Sequence, residues 1–233
     1  MTVQTIAVIG AMEQEIELLK AAMEDVCPLS FGKFAAYEGK LSGKRVVLAL
    51  SGIGKVNAAV ATAWVIREFS PDAVINTGSA GGLAKGLKVG DVVVGTAVAH
   101  HDVDVTAFGY VWGQVPQLPA VFESNEKLVA AAKSAAKAFE GAAVADGLIV
   151  SGDQFVSSSD KVAAIRSRFE GVQAVEMEAA AIAQTCYQLN VPFVVIRAVS
   201  DSADEKADIS FETFLQTAAT ASARMVMDIV AAV

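Results

Sequence analysis

Short apolar runs alternate along this chain with amphipathic segments, the pattern of strands followed by helices. Thr5–Gly10 (TIAVIG) is nearly all apolar, which predicts a strand buried on both faces. Behind it, Ile16, Leu18, Leu19 and Met23 give Ala11–Lys20 and its continuation a helical apolar face with an acidic start. Glu13, Gln14, Glu15 and Glu17 therefore fall just past the carboxyl end of a strand, the edge at which open α/β sheets bind ligands. Further strands are predicted over Phe34–Leu41 and Arg45–Leu50, joined at Ser42-Gly43, and over Asp91–His100, Ala142–Val150 and Pro192–Ser202, while Ala73–Gly82 reads as a strand entering a glycine-rich loop. Helices are predicted over Val56–Phe69, stopped by Pro71, and over Leu128–Phe139, Lys161–Phe169 and Phe211–Val230. No repeat, linker or low-complexity tract interrupts the pattern, so residues 1–233 read as one α/β domain.

The stretch Ala174–Ala183 (AVEMEAAAIA) breaks this simple alternation. Glu176 and Glu178 stand among small apolar residues, and a carboxylate in such company needs a polar partner. Two readings are open. Both acids lie in the first turn of the Ala-rich helix that follows, where the helix dipole favours them, or they face a ligand. The functional reading is stronger for Glu178, because a second polar group, Ser200-Asp201, ends the next apolar run.

Composition narrows the class. The chain is 54% hydrophobic and only 19% charged, which implies a large core or an apolar surface covered by another subunit. A net charge of −8 argues against a nucleic-acid or anionic-membrane surface. Cys27 and Cys186 are too few for a disulfide framework, and neither a signal peptide nor a long apolar span is visible, so a soluble cytoplasmic protein is expected. His100 and His101 are adjacent and lack metal-ligand spacing, which argues against a zinc site.

Several loops carry candidate chemistry. Ser51-Gly52-Ile53-Gly54-Lys55-Val56-Asn57 lacks the spacing of a nucleoside-triphosphate loop, yet its glycines let backbone approach a ligand. Asn76–Gly82 enters a second glycine-rich loop with Ser79 as a donor. His101–Pro116 is long and aromatic for a loop, and the alternation of Phe108, Tyr110 and Trp112 suggests one face that covers an apolar patch on a neighbouring subunit. Phe155, after the Ala142–Val150 strand, offers a stacking face for a planar ring or simply packs in the core.

Taken in order, Gly10-Ala11-Met12-Glu13-Gln14-Glu15, Ser51–Val56, Asn76–Gly82, Ser151-Gly152-Asp153-Gln154-Phe155, Val175-Glu176-Met177-Glu178 and Ala198-Val199-Ser200-Asp201 span nearly the whole chain. Each piece alone is weak, but the ordered set resembles the bacterial 5′-methylthioadenosine/S-adenosylhomocysteine nucleosidases. The resemblance implies a central mixed β-sheet flanked by helices, in the nucleoside phosphorylase-like architecture, and a homodimer. It also implies cleavage of the N-glycosidic bond of 5′-methylthioadenosine, S-adenosylhomocysteine and 5′-deoxyadenosine, releasing adenine for methionine salvage, with no cofactor or metal.

The same resemblance implies roles for residues. Asp201 is the acid that protonates the leaving adenine, with Ser200 hydrogen-bonded to it; Glu15 activates water; Glu178 accepts hydrogen bonds from the ribose hydroxyls. Met177 packs on the ribose, Phe155 stacks on adenine and the Val156 backbone reads its edge. Arg197 lies near the acid and ribose pair; Glu176, Ser79, Ile53, Phe211, Ala11 and Met12 complete the pocket. Phe108, Tyr110 and Pro116 reach the partner's 5′-substituent pocket. Related phosphorylases tend to carry an Arg where this chain has Asn76, so water rather than phosphate is the expected nucleophile. The chemistry suits these residue types, since C1′–N9 cleavage leaves positive charge on the sugar and negative charge on the base. The rival expectations are a phosphorylase on the same scaffold, a non-catalytic nucleoside-binding module, and a structural α/β domain.

Overall fold

A computed structural model describes residues 3–136, 142–204 and 207–233. In chain order the elements are β1 (Thr5–Gly10), α1 (Glu13–Ala22), β2 (Glu24–Phe31), β3 (Phe34–Leu41), β4 (Lys44–Leu50), α2 (Lys55–Phe69), β5 (Ala73–Gly82) and β6 (Val92–His100). A single 3₁₀ turn (Thr106–Phe108) precedes β7 (Phe122–Glu123), α3 (Glu126–Ala136), β8 (Val144–Ser151), α4 (Ser159–Arg168), β9 (Val172–Glu176), α5 (Ala179–Leu189), β10 (Phe193–Asp201) and α6 (Ala207–Ala232). The expected helix Leu128–Phe139 is present as α3; its last residues, 137–139, lie outside the described residues.

The strands form one mixed sheet in the order β10-β6-β8-β9-β5-β1-β4-β3-β2, and β10 also pairs with β5. Five strands, β5, β10, β6, β8 and β9, thereby close on themselves, while β1, β4, β3 and β2 extend as an open wing. β1 runs parallel to β4 and β5, and β10 runs parallel to β5, so the carboxyl ends of β1, β5 and β10 lie side by side. β9 meets the far end of β5 antiparallel, pairing Val175 with Gly81, and is parallel to β8 with Ser151 opposite Glu176. Ligand-competent loops therefore converge at one mouth.

Burial on both faces explains the continuous apolar runs. Ile6 and Val8 pack with α1, α3 and α6, whereas Ala7 and Ile9 pack with α2 and α5. All nine residues of β10 are buried, including Arg197, Ser200 and Asp201. Three elements depart from expectation. β2 was not anticipated, because it is an exposed edge paired only to β3, without apolar alternation and with Pro28 and a bulge between Glu24 and Cys27. The two-residue β7 carries too few positions for a pattern. Glu176 ends a strand rather than starting a helix, and Glu178 occupies the N-cap of α5.

Candidate active site

The carboxyl ends of β1, β5, β8, β9 and β10 surround a cavity of about 270 Å³. β1 delivers Ala11, Met12 and, from the first turn of α1, Glu15. β5 contributes Ser79, Ala80 and Gly81, and β10 contributes Ser200 and Asp201. The segment after β8 adds Gln154, Phe155 and Val156; the β9–α5 junction adds Val175 to Glu178; Ile53 and Phe211 close the sides.

Glu15 is 4% exposed, and its carboxylate collects four donors. Oε2 accepts from the Ala11 and Met12 amides at 2.9 and 3.1 Å, and Oε1 accepts from the Ser79 amide and hydroxyl at 3.0 and 2.9 Å. Gly78 makes room for this arrangement, since a Cβ there would stand 2.8 Å from Glu15 Oε1. The Ser79 proton is thus spent on Glu15, not offered to a ligand as the sequence suggested.

Glu176 and Glu178 are two residues apart yet differ in surroundings. Burial would raise Glu176, but the Arg197 guanidinium, the Ser151 hydroxyl and the α5 amides together hold its carboxyl below its ordinary value. Arg197 Nη2 donates to Glu176 Oε2 at 2.6 Å, Ser151 Oγ donates to Oε1, and the Glu178 and Ala179 amides cap the group. Glu178 has no such cation. Burial, with the Glu176 charge adding to it, pushes its carboxyl up to about 8, and its Oε1 accepts from the Gly54 amide at 2.8 Å. Asp201 is also raised, by burial, while the Ala203 amide and the Ser200 hydroxyl pull it back. Those two donors sit 2.8 Å from Oδ1 and Oδ2 respectively.

Of the residues expected at the site, thirteen line this cavity: Glu15, Glu178, Asp201, Ser79, Ile53, Phe155, Val156, Met177, Glu176, Ser200, Phe211, Ala11 and Met12. Four do not. Arg197 is 1% exposed and lies one layer back, bound to Glu176 and to Asn76 Oδ1 at 2.6 Å, because neutralising Glu176 is where its charge is needed. Phe108, Tyr110 and Pro116 stand outside the cavity, with Phe108 81% exposed. Trp112 does not share their face: its Nε1 donates to the His101 carbonyl at 2.8 Å and Arg168 stacks on its ring, so the alternation is that of a looped turn and not of a strand. Asn76 also lies beneath the cavity, donating to the Ile9 carbonyl. The better argument against a bound phosphate is the lining itself, which holds four carboxyl groups and, among the described residues, no Lys or Arg. Ala80, Gly81, Gln154 and Val175 were not singled out beforehand, although all sit within or beside the quoted motifs.

A family model of the phosphorylase superfamily matches residues 5–231. A 5′-methylthioadenosine/S-adenosylhomocysteine nucleosidase of Exiguobacterium sp. is 55% identical over 222 residues, covering 95% of both chains. The crystal structure of the nucleosidase of that kind from Neisseria meningitidis, in complex with methylthio-immucillin-A, superposes with a TM-score of 0.98 at 74% identity over 99% of this chain and 100% of that one. The one from Colwellia psychrerythraea, in complex with adenine, gives a TM-score of 0.96 at 46% identity over 98% of this chain and 95% of that one. With fold, lining and ordered motifs all in agreement, this chain belongs to the 5′-methylthioadenosine/S-adenosylhomocysteine nucleosidase family of the phosphorylase superfamily.

Proposed function

We propose that this chain hydrolyses the N-glycosidic bond of 5′-methylthioadenosine and S-adenosylhomocysteine, releasing adenine and the 5-thioribose. Relatives of that name at about half identity over their full length support the reaction. The observation that carries it on this chain is the lining: buried carboxyl groups in three different environments, with no Lys or Arg among the described lining residues.

The roles follow from those environments. Asp201, raised by burial, gives a proton to the purine, so that adenine leaves neutral. Glu15, fixed by four donors, is oriented to take a proton from water as it attacks the sugar. Glu178 accepts from the ribose hydroxyls with its oxygens, one of which the Gly54 amide holds in place. Phe155, 43% exposed at the cavity, offers its face to the adenine beside Val156, and Met177 packs on the sugar. Arg197 and Glu176 support this set from behind.

The reading extends to a homodimer in which Phe108, Tyr110 and Pro116 enter the partner's 5′-substituent pocket; the exposure of Phe108 and Pro116, away from their own cavity, supports it. It further extends to 5′-deoxyadenosine as a substrate, to methionine salvage, and to the cytoplasm, where two free thiols, Cys27 and Cys186, persist.

The decisive experiment is adenine release from 5′-methylthioadenosine in phosphate-free buffer, with and without added phosphate. Undiminished release without phosphate is expected. Release only with phosphate identifies a phosphorylase instead.

A further inference from the structure

Three loops meet at the rim beside Glu178, and a closed set of polar contacts joins them. Lys55 Nζ pairs with Asp102 Oδ1 at 2.6 Å. Asp102 Oδ2 accepts from the Asp153 amide at 3.0 Å, and Asp153 Oδ1 accepts from the Lys55 amide at 2.8 Å. Between the Lys55 amide and the cavity sits Gly54, at φ +96°, the residue whose amide donates to Glu178. A Cβ on Gly54 would come 3.1 Å from Asp153 Oδ1, so turn and clasp are packed against each other.

This pair is not an ordinary surface bridge. The side chains are only 18% and 14% exposed, and withdrawing two charges from water is costly unless their geometry is held. The contacts span 47, 98 and 51 residues of sequence, so none arises from local chain structure. Lys55 makes no bond to Glu178; its influence passes through the Gly54 backbone. Asp153 leads directly to Phe155 and Val156, so the same clasp borders the base end of the cavity.

We propose that Lys55 and Asp102 are positioning residues for sugar recognition: their ion pair holds the Ile53–Gly54 turn so that the Gly54 amide fixes the Glu178 carboxyl in the orientation that receives the ribose hydroxyls. The proposal rests on the reading of Glu178 as the ribose acceptor. A clasp serving stability alone would lower thermal stability when broken and would affect all substrates equally.

The test compares kcat/KM for 5′-methylthioadenosine and its 3′-deoxy analogue in the full-length wild type and in Lys55→Met, Asp102→Asn, Lys55→Arg and Glu178→Gln. The wild type is expected to prefer the hydroxylated substrate. Lys55→Met and Asp102→Asn are expected to lose at least about tenfold of that preference, the scale of one hydrogen bond to a charged or strongly polar group. Their kcat/KM for the deoxy analogue should change far less, and Lys55→Arg should keep the preference. An unchanged preference in Lys55→Met and Asp102→Asn, alongside its loss in Glu178→Gln, overturns the positioning role. A preference that survives in Glu178→Gln overturns the ribose-acceptor reading, and this proposal with it.

Discussion

Asp201 and Glu178 are both buried carboxyls raised above their ordinary values, yet they have different partners. Asp201 is bonded by Ser200 and Ala203, and its amide isostere would preserve size and much of that bonding. Asp201→Asn should therefore fold and bind a nucleoside analogue while adenine release falls by about 10²–10⁴-fold, the usual worth of a general acid; near-normal release would remove Asp201 from that role. Glu178 predicts a stability effect with a definite sign. Its ordinary value is 4.5 and its folded value about 8, so the folded state holds a proton that the unfolded chain gives up. The stabilisation from that proton is full below pH 4.5 and is lost as pH rises through 8. Glu178→Gln should accordingly gain at least about 1 kcal/mol on the wild type between pH 5 and pH 8 in urea unfolding. Parallel pH profiles for the two proteins would show an unperturbed carboxyl. Glu15, Glu178 and Asp201 were legible in the sequence because each follows an apolar run. The pairing of Arg197 with Glu176 was not, since the residues are 21 positions apart and are joined only by the way the strands assemble. Removing either partner should cost about 3–5 kcal/mol, because the other is left charged and buried.

At the scale of the element, the β5 loop shows why small residues stand where they do. Gly78 lies against Glu15 and Gly81 against Asp201 Oδ1, at 3.0 Å from an added Cβ. A methyl at Gly78 forces Glu15 out of its four-donor cradle, so Gly78→Ala should keep its circular-dichroism spectrum but lose about 10–100-fold in kcat, a consequence of misplacing one catalytic group. Full activity would mean that the cradle is not needed. The strands β1, β3, β4, β5, β6, β8 and β10 were readable from apolar runs. β9 was masked by its fusion to an Ala-rich helix, because Val172–Glu176 leads into α5 within three residues. The His101–Pro116 segment was legible as a loop, but which aromatic turns inward depended on Arg168, far along the chain.

Across the whole molecule, the closed set of five strands holds Ser79, Glu178 and Asp201 on one rim, whereas the wing of β1, β4, β3 and β2 brings Ala11, Met12, Glu15 and Ile53 to it. The wing must end somewhere, and it ends on β2, whose residues are mostly exposed and include Val26 and Phe31 at 37% and 51%. Such a border is a template on which the sheet of another molecule can add. Here Pro28 removes an amide from the ladder, Asp25 turns the chain at φ +54° and ties to Lys40, and the bulge bends the strand. Replacing Pro28 by Val should leave the activity per native molecule intact and raise light scattering in concentrated solution on prolonged incubation. Unchanged scattering would show that the bulge and the charges suffice. The irregularity that hid β2 from the sequence pattern is thus also what breaks the row of backbone groups this border would otherwise offer to another sheet.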